Sequence, residues 1–137
     1  MKSLFLDTNI LIDFLAERQP FSKYVFEIFE KAEKKKVKLY TSSHSFATAH
    51  YILKKYFEEK ALRESLHILF DIITIVPVDN TIIKRSLLSK NKDFEDAIQI
   101  FAANTIDNLD CIVTRNLKDF KDAGVRVLAP DELITYI

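Results

Sequence analysis

The chain has a single glycine, Gly124, and that scarcity excludes several functions at once. A phosphate-cradling P-loop and a dinucleotide-binding turn each need several glycines where the backbone closes on phosphate. The single cysteine, Cys111, excludes an internal disulfide and any multi-cysteine zinc site, and in an apolar stretch it reads as a small core residue. Three histidines, His44, His50 and His67, never form an H-E-x-x-H pattern. Neither sign of charge prevails: 20 Lys and Arg balance 20 Asp and Glu, so a protein that coats nucleic acid through a general basic surface is disfavoured. No apolar run reaches the length of a membrane span, and Asp7 interrupts the hydrophobic N-terminus, so neither a span nor a secretory leader is expected. The expected setting is a reducing cytoplasm.

What is present is a chain of 137 residues, 48% hydrophobic and 29% charged, which is one globular domain over residues 1–137. The hydrophobic period switches repeatedly between the strand and helix values. Ser3–Leu6 reads as a buried strand ending in the polar corner Asp7-Thr8-Asn9, followed by a helix through Ala16. Pro20 suits the first turn of a helix carrying Phe21, Tyr24, Val25, Ile28, Phe29 and Ala32. Val37–Tyr40 is a second strand with the polar exit Thr41-Ser42-Ser43. Two helices follow, marked by Phe46, Ala49 and Leu53 and then by Leu62, Leu66 and Leu69. Ile72–Val78 is a third strand, with Pro77 tolerated near its end or at a sheet edge. Asp79 and Asp93 are placed to cap two more helices, the second reaching Ile106. Cys111–Thr114 and Val125–Leu128 complete the strands, and Pro130–Tyr136 is a closing helix. Such alternation predicts crossover units and a mostly parallel five-stranded sheet with helices on both faces.

In sheets of this kind ligands sit beyond the C-terminal strand ends, near the point where strand order reverses. The residues expected there are Asp7, Thr8 and Asn9, then Thr41 to Ser43, then Thr114, Arg115, Asn116 and Asp119, with Asp93, Glu95 and Asp96 opening the preceding helix. Carboxylates and amides gathered at one edge form the oxygen-donor set that suits Mg²⁺ or Mn²⁺. Plainer readings stand beside this one. Asp7 and Asp93 can simply cap helices, Asp96 can serve a helix dipole, and Asp119 can form a turn. The lysine-rich stretch from Lys31 to Lys38 reads first as a solvated helix end.

The segments Leu6-Asp7-Thr8-Asn9-Ile10-Leu11, Asp93-Phe94-Glu95-Asp96-Ala97-Ile98-Gln99 and Val113-Thr114-Arg115-Asn116-Leu117-Lys118-Asp119-Phe120 resemble the PIN domain. The tail from Gly124 to Leu133 fits the same pattern, and the four segments span the chain in the family's order. The resemblance implies a single Rossmann-like α/β domain. It also implies Mg²⁺- or Mn²⁺-dependent ribonuclease activity, as in the VapC-type toxins of bacterial toxin–antitoxin pairs. Carried over residue by residue, Asp7, Asp96 and Asp119 are the catalytic, metal-holding acids. Thr8, Asn9, Asp93, Thr114 and Asn116 are supporting residues, and Arg115 and Lys118 are candidate phosphate contacts. The family's second acid, usually a Glu, falls at Thr48 here. The implied partners are an RNA substrate, an antitoxin protein and a second copy of the chain in a homodimer. Thr48 also supports an alternative, a PIN-fold module that binds RNA or a protein without cutting. A small phosphohydrolase on a similar sheet is a weaker fit, because Asn9 stands where that chemistry favours a second Asp.

Overall fold

The computed structural model describes residues 1–137. The first strand, β1 (Lys2–Leu6), leads into α1 (Thr8–Leu15) and α2 (Ser22–Glu33). Then come β2 (Val37–Ser42), α3 (Ser43–Leu53), α4 (Glu59–Ile72), β3 (Ile73–Val76), α5 (Asn80–Leu88) and α6 (Phe94–Ala103). The chain closes with β4 (Cys111–Val113), one 3-10 turn (Leu117–Phe120), β5 (Arg126–Leu128) and α7 (Pro130–Ile134). The five strands form one sheet in the order β3-β2-β1-β4-β5, parallel throughout. Strand order reverses at β1, which pairs with β2 on one side and β4 on the other, Leu4 opposite both Leu39 and Cys111.

The alternation of side chains along β1 sorts the helices into two layers. Leu4 and Leu6 face a core built with Ile10, Leu11, Val25, Ile28, Ala49, Leu53, Leu62, Leu66, Leu69 and Leu133, so α1, α2, α3, α4 and α7 cover that side. Phe5 and Ile112 point the other way, onto Ile82 of α5 and Ile98, Ile100, Ala102 and Ala103 of α6. Phe5 is fully buried, which contributes about 1.5–3 kcal/mol. The near-continuous apolar character of β1 and β4 follows from being covered on both faces.

Several boundaries differ from the sequence expectation, each for a local reason. The third strand is Ile73–Val76 rather than Ile72–Val78: Ile72 still belongs to α4, and Pro77 has no N–H to offer a ladder. Pro20 sits in the turn before α2, which begins at Ser22. The sixth helix stops at Ala103, with Asn104 as its C-cap. Gly124 takes φ +78° in the turn entering β5, a left-handed conformation that glycine adopts without steric cost.

Candidate active site

The cleft opens at the C-terminal ends of β1 and β4, beside the reversal of strand order. Asp7 caps α1, accepting from the Thr8 N–H at 2.8 Å, so the plain capping expectation holds. Its carboxylate is also gripped from three other directions. Gln99 Nε2 donates to Oδ1 at 3.0 Å and the Thr114 hydroxyl donates to Oδ2 at 2.7 Å, while the Asn9 amide reaches Oδ2 only at 3.5 Å. Asp7 is 6% exposed, and at that depth a carboxylate needs such partners. The long Asn9 contact is the weak one, and Asn9 also lies 3.4 Å from Thr114 Oγ1.

Gln99 organises the floor of the cleft. Its Oε1 accepts from Ser42 Oγ at 2.5 Å, and its Nε2 donates to Ser45 Oγ as well as to Asp7. Ser42 in turn caps α3 by accepting from the Ser45 N–H at 2.9 Å. Thr8 Oγ1 bonds Ser45 Oγ at 2.8 Å. One buried amide thereby ties the ends of β1 and β2 and the middle of α6 together. Sequence reasoning passed over Gln99 and Ser45. The available signal was spacing: Gln99 follows Asp96 by three residues on α6 and so shares its face.

Asp93 caps α6, accepting from the Asp96 N–H at 3.1 Å, and this orients the first turn toward the cleft. Asp119 stands on the 3-10 turn, anchored by fully buried Phe120 beside it. The cleft has a volume of about 300 Å³ and is lined by Asp7, Asp93, Glu95, Asp96 and Asp119, with Thr8, Asn9, His44, Thr48, Gln99 and Asn116. Of the residues expected from sequence, Asp7, Asp96, Asp119, Thr8, Asn9, Thr48, Asp93 and Asn116 all line it. Thr114 lies beneath, fully buried against Asp7.

The two expected phosphate contacts are not brought to the cleft. Arg115 turns away: its Nε and Nη2 donate to Asp13 at 2.7 and 3.2 Å, and its guanidinium lies 4.0 Å from the centre of the Phe21 ring. Asp13 is a fully buried carboxylate that claims a counter-charge, which is why Arg115 points into the protein. Lys118 is exposed on the 3-10 turn and lies outside the lining.

Five carboxylates around one cleft strain its charge balance. Burial first, and then the charges of Asp93, Asp7, Asp119 and Glu95, raise the Asp96 carboxyl from 3.8 to about 7. The donors on offer are carboxylate, amide and hydroxyl oxygens, the set a hard divalent ion takes. No three His, Cys, Asp or Glu side chains stand close enough together to form a closed ligand shell, so the fit lies in the donor chemistry and the crowded charge.

A doubly covered parallel sheet with an acidic cleft at its reversal point defines the class: an α/β domain whose site lies beyond the C-terminal strand ends. The chain belongs to the PIN domain family, whose pattern matches residues 3–118. It is 28% identical to Ribonuclease VapC1 of Aquifex aeolicus (strain VF5), over 96% of this chain and 92% of that one. Among solved structures it is similar to a toxin-antitoxin complex from Klebsiella pneumoniae, at 26% identity and a TM-score of 0.65 over 93% of this chain and 97% of that one. VapBC2 from Rickettsia felis, bound to a DNA fragment from its promoter, shares the fold at 18% identity and a TM-score of 0.69, over 93% and 98% of the two chains. Mycobacterium tuberculosis VapC20, a sarcin-ricin loop cleaving toxin, shares it at 16% identity and a TM-score of 0.63, over 80% and 86%.

Proposed function

We propose that this chain is a VapC-like ribonuclease, the toxin of a toxin–antitoxin pair, hydrolysing RNA phosphodiesters with the help of Mg²⁺ or Mn²⁺. The observation that carries this reading is the cleft itself: five carboxylates gathered at the reversal of strand order, with Asp96 raised to about 7 by burial and then by its acidic neighbours. The similarity to Ribonuclease VapC1 supports the same substrate class. Asp7, Asp96 and Asp119 are the residues to hold the cation. A bound divalent ion supplies neutralising charge to the phosphodiester and acidifies a neighbouring water.

The protein's own contribution is preorganisation. Thr114, Gln99 and the Thr8 N–H hold Asp7 in one orientation, so little is spent on ordering it when substrate arrives. Asn9, held only by contacts of 3.4–3.5 Å to Asp7, Thr114 and the Arg115 N–H, is the amide on the ligand side of Asp7. Lys118 is the member of the expected phosphate pair that is exposed and unpaired with a buried carboxylate, and we assign it a strand contact outside the cleft. The expected result is hydrolysis of RNA by the purified protein with Mg²⁺ or Mn²⁺, lost on adding a chelator. RNA that is bound but stays intact with either ion would establish the binding-module reading, which Thr48 at the cleft wall favours.

The antitoxin and a second copy of the chain are the protein partners of this reading, and RNA places its action in the cytoplasm. No helix is long and apolar enough to cross a membrane. Tyr51, Tyr56, Phe57, Ile68 and Phe70 are exposed on and between α3 and α4, an apolar surface of the sort that marks interfaces. Sedimentation is expected to give a dimer mass, and a monomer at high concentration would remove the homodimer from the proposal.

A further inference from the structure

The cleft is lined by no lysine and no arginine, and its one basic side chain is His44. Arg115, the nearest alternative by sequence, is bound to Asp13. His44 lies on the first turn of α3, one turn before Thr48, so both face the same way. Its Nε2 is 3.3 Å from Glu95 Oε1 and 3.5 Å from Thr48 Oγ1. The imidazole is therefore addressed from two elements, α3 and α6, at the wall of the cleft where the family's second acid is replaced.

Breaking a phosphodiester leaves an alkoxide, which departs far more easily if a proton reaches it in the transition state. Carboxylates that hold a cation act as acceptors and have no proton to give. An imidazole ring can carry an N–H on each nitrogen and so can serve as a general acid. We propose that His44 is a catalytic residue of this ribonuclease, donating the proton to the leaving oxygen, with Glu95 orienting its ring. The inference rests on the ribonuclease reading. In the step, water adds to phosphorus as the bond from phosphorus to the departing oxygen breaks. The bonding pair goes to that oxygen, which takes the Nδ1 proton of the imidazolium, the Nε2 side being the one that faces Glu95. The proton lost by the attacking water passes to solvent, and solvent returns one to His44.

The test compares His44→Gln with the wild type on two RNAs, once the cleavage position has been mapped. One is natural; in the other, sulfur replaces the leaving oxygen at the scissile linkage and departs as a thiolate that needs no proton. His44→Gln is expected to lose about 10²–10⁴-fold on the natural RNA and to match the wild type on the sulfur-bearing one. Equal losses on both would reduce His44 to a structural or binding group, and no loss on either would remove it from the reaction; both overturn the proposal. If His44→Gln shows no cooperative melt, His44→Asn takes its place under the same criteria. A wild type inert toward both RNAs overturns the ribonuclease reading and this inference together, an outcome distinct from a failure of the variants alone.

Discussion

Replacing Asp96 by Asn is expected to abolish RNA hydrolysis and, at pH 8 without divalent ions, to raise the melting temperature. The first effect follows from charge: Asn keeps the shape and one oxygen donor but removes the negative charge that helps hold the cation. The second follows from the burial, and then the crowding of carboxylates, that raise Asp96 to about 7. A folded-state value above the unfolded one means that stability is greatest below about 4 and is lost as pH rises through 7. A shift of one pKa unit corresponds to about 1.4 kcal/mol, but Asp96 is partly open to solvent and screening reduces its share, leaving about 1–2 kcal/mol. In a domain of this size that is about 3–8 °C. The two proteins should melt together at pH 4, where the wild-type carboxyl is protonated. Saturating Mg²⁺ at pH 8 should narrow the gap by stabilising the wild type. Melts across pH with a parallel RNA assay check both effects. A lower melting temperature with full hydrolysis would show that Asp96 serves only its helix.

The largest effect on stability is expected from Asp13→Ala. Asp13 is fully buried, takes two hydrogen bonds from Arg115 and has Arg18 Nε at 3.9 Å. Removing it leaves the Arg115 guanidinium against Phe21 with no counter-charge. Breaking a buried ion pair from one side costs about 3–5 kcal/mol, and because Arg115 keeps some solvent access the loss here should be about 2–4 kcal/mol. The damage should extend to the cleft, because Arg115 lies between Thr114, which holds Asp7, and Asn116, which lines the opening. Asp13→Leu combined with Arg115→Met removes both charges and should recover part of the stability. Denaturant melts of Asp13→Leu, Arg115→Met and the double variant form the cycle that measures the coupling. A loss below 1 kcal/mol for Asp13→Ala would mean that water satisfies the Arg115 guanidinium once the carboxylate is gone.

The fold was largely readable because each strand and helix carries its own hydrophobic period, and the polar corners after β1 and β4 stand out against Leu6 and Val113. Asp7 stood out because it directly follows the apolar strand β1, whereas Asp96, in the first turn of α6, and Asp119, on the 3-10 turn, stood out through the motifs that resemble the PIN domain. Gln99 was hidden because an amide inside Ile98-Gln99-Ile100 looks like part of a helix interior, and only the folded chain shows Ser42, Ser45 and Asp7 closing on it. The role of Arg115 depended on a partner 102 residues away. Asp13, set among the apolar residues of α1, gives no local hint that it demands a cation. His44 sits in a short polar run after β2, where a histidine is unremarkable until Glu95 is brought against it.

The order in which the cleft's walls occur along the chain bears on how the protein is made. Asp7 comes from the first strand, Thr48 from the third helix, and Asp96 and Asp119 from the last third of the sequence. Thr114, which fixes Asp7, is positioned only when β4 docks beside β1 across more than one hundred residues. During synthesis β1 and β2 can pair early, but the cleft has no second wall until the C-terminal third has left the ribosome. Contacts of such long range also close late in folding. A cleft assembled this way is incomplete in the nascent chain, and on the proposed reading activity arises only after the last third of the sequence has folded onto β1.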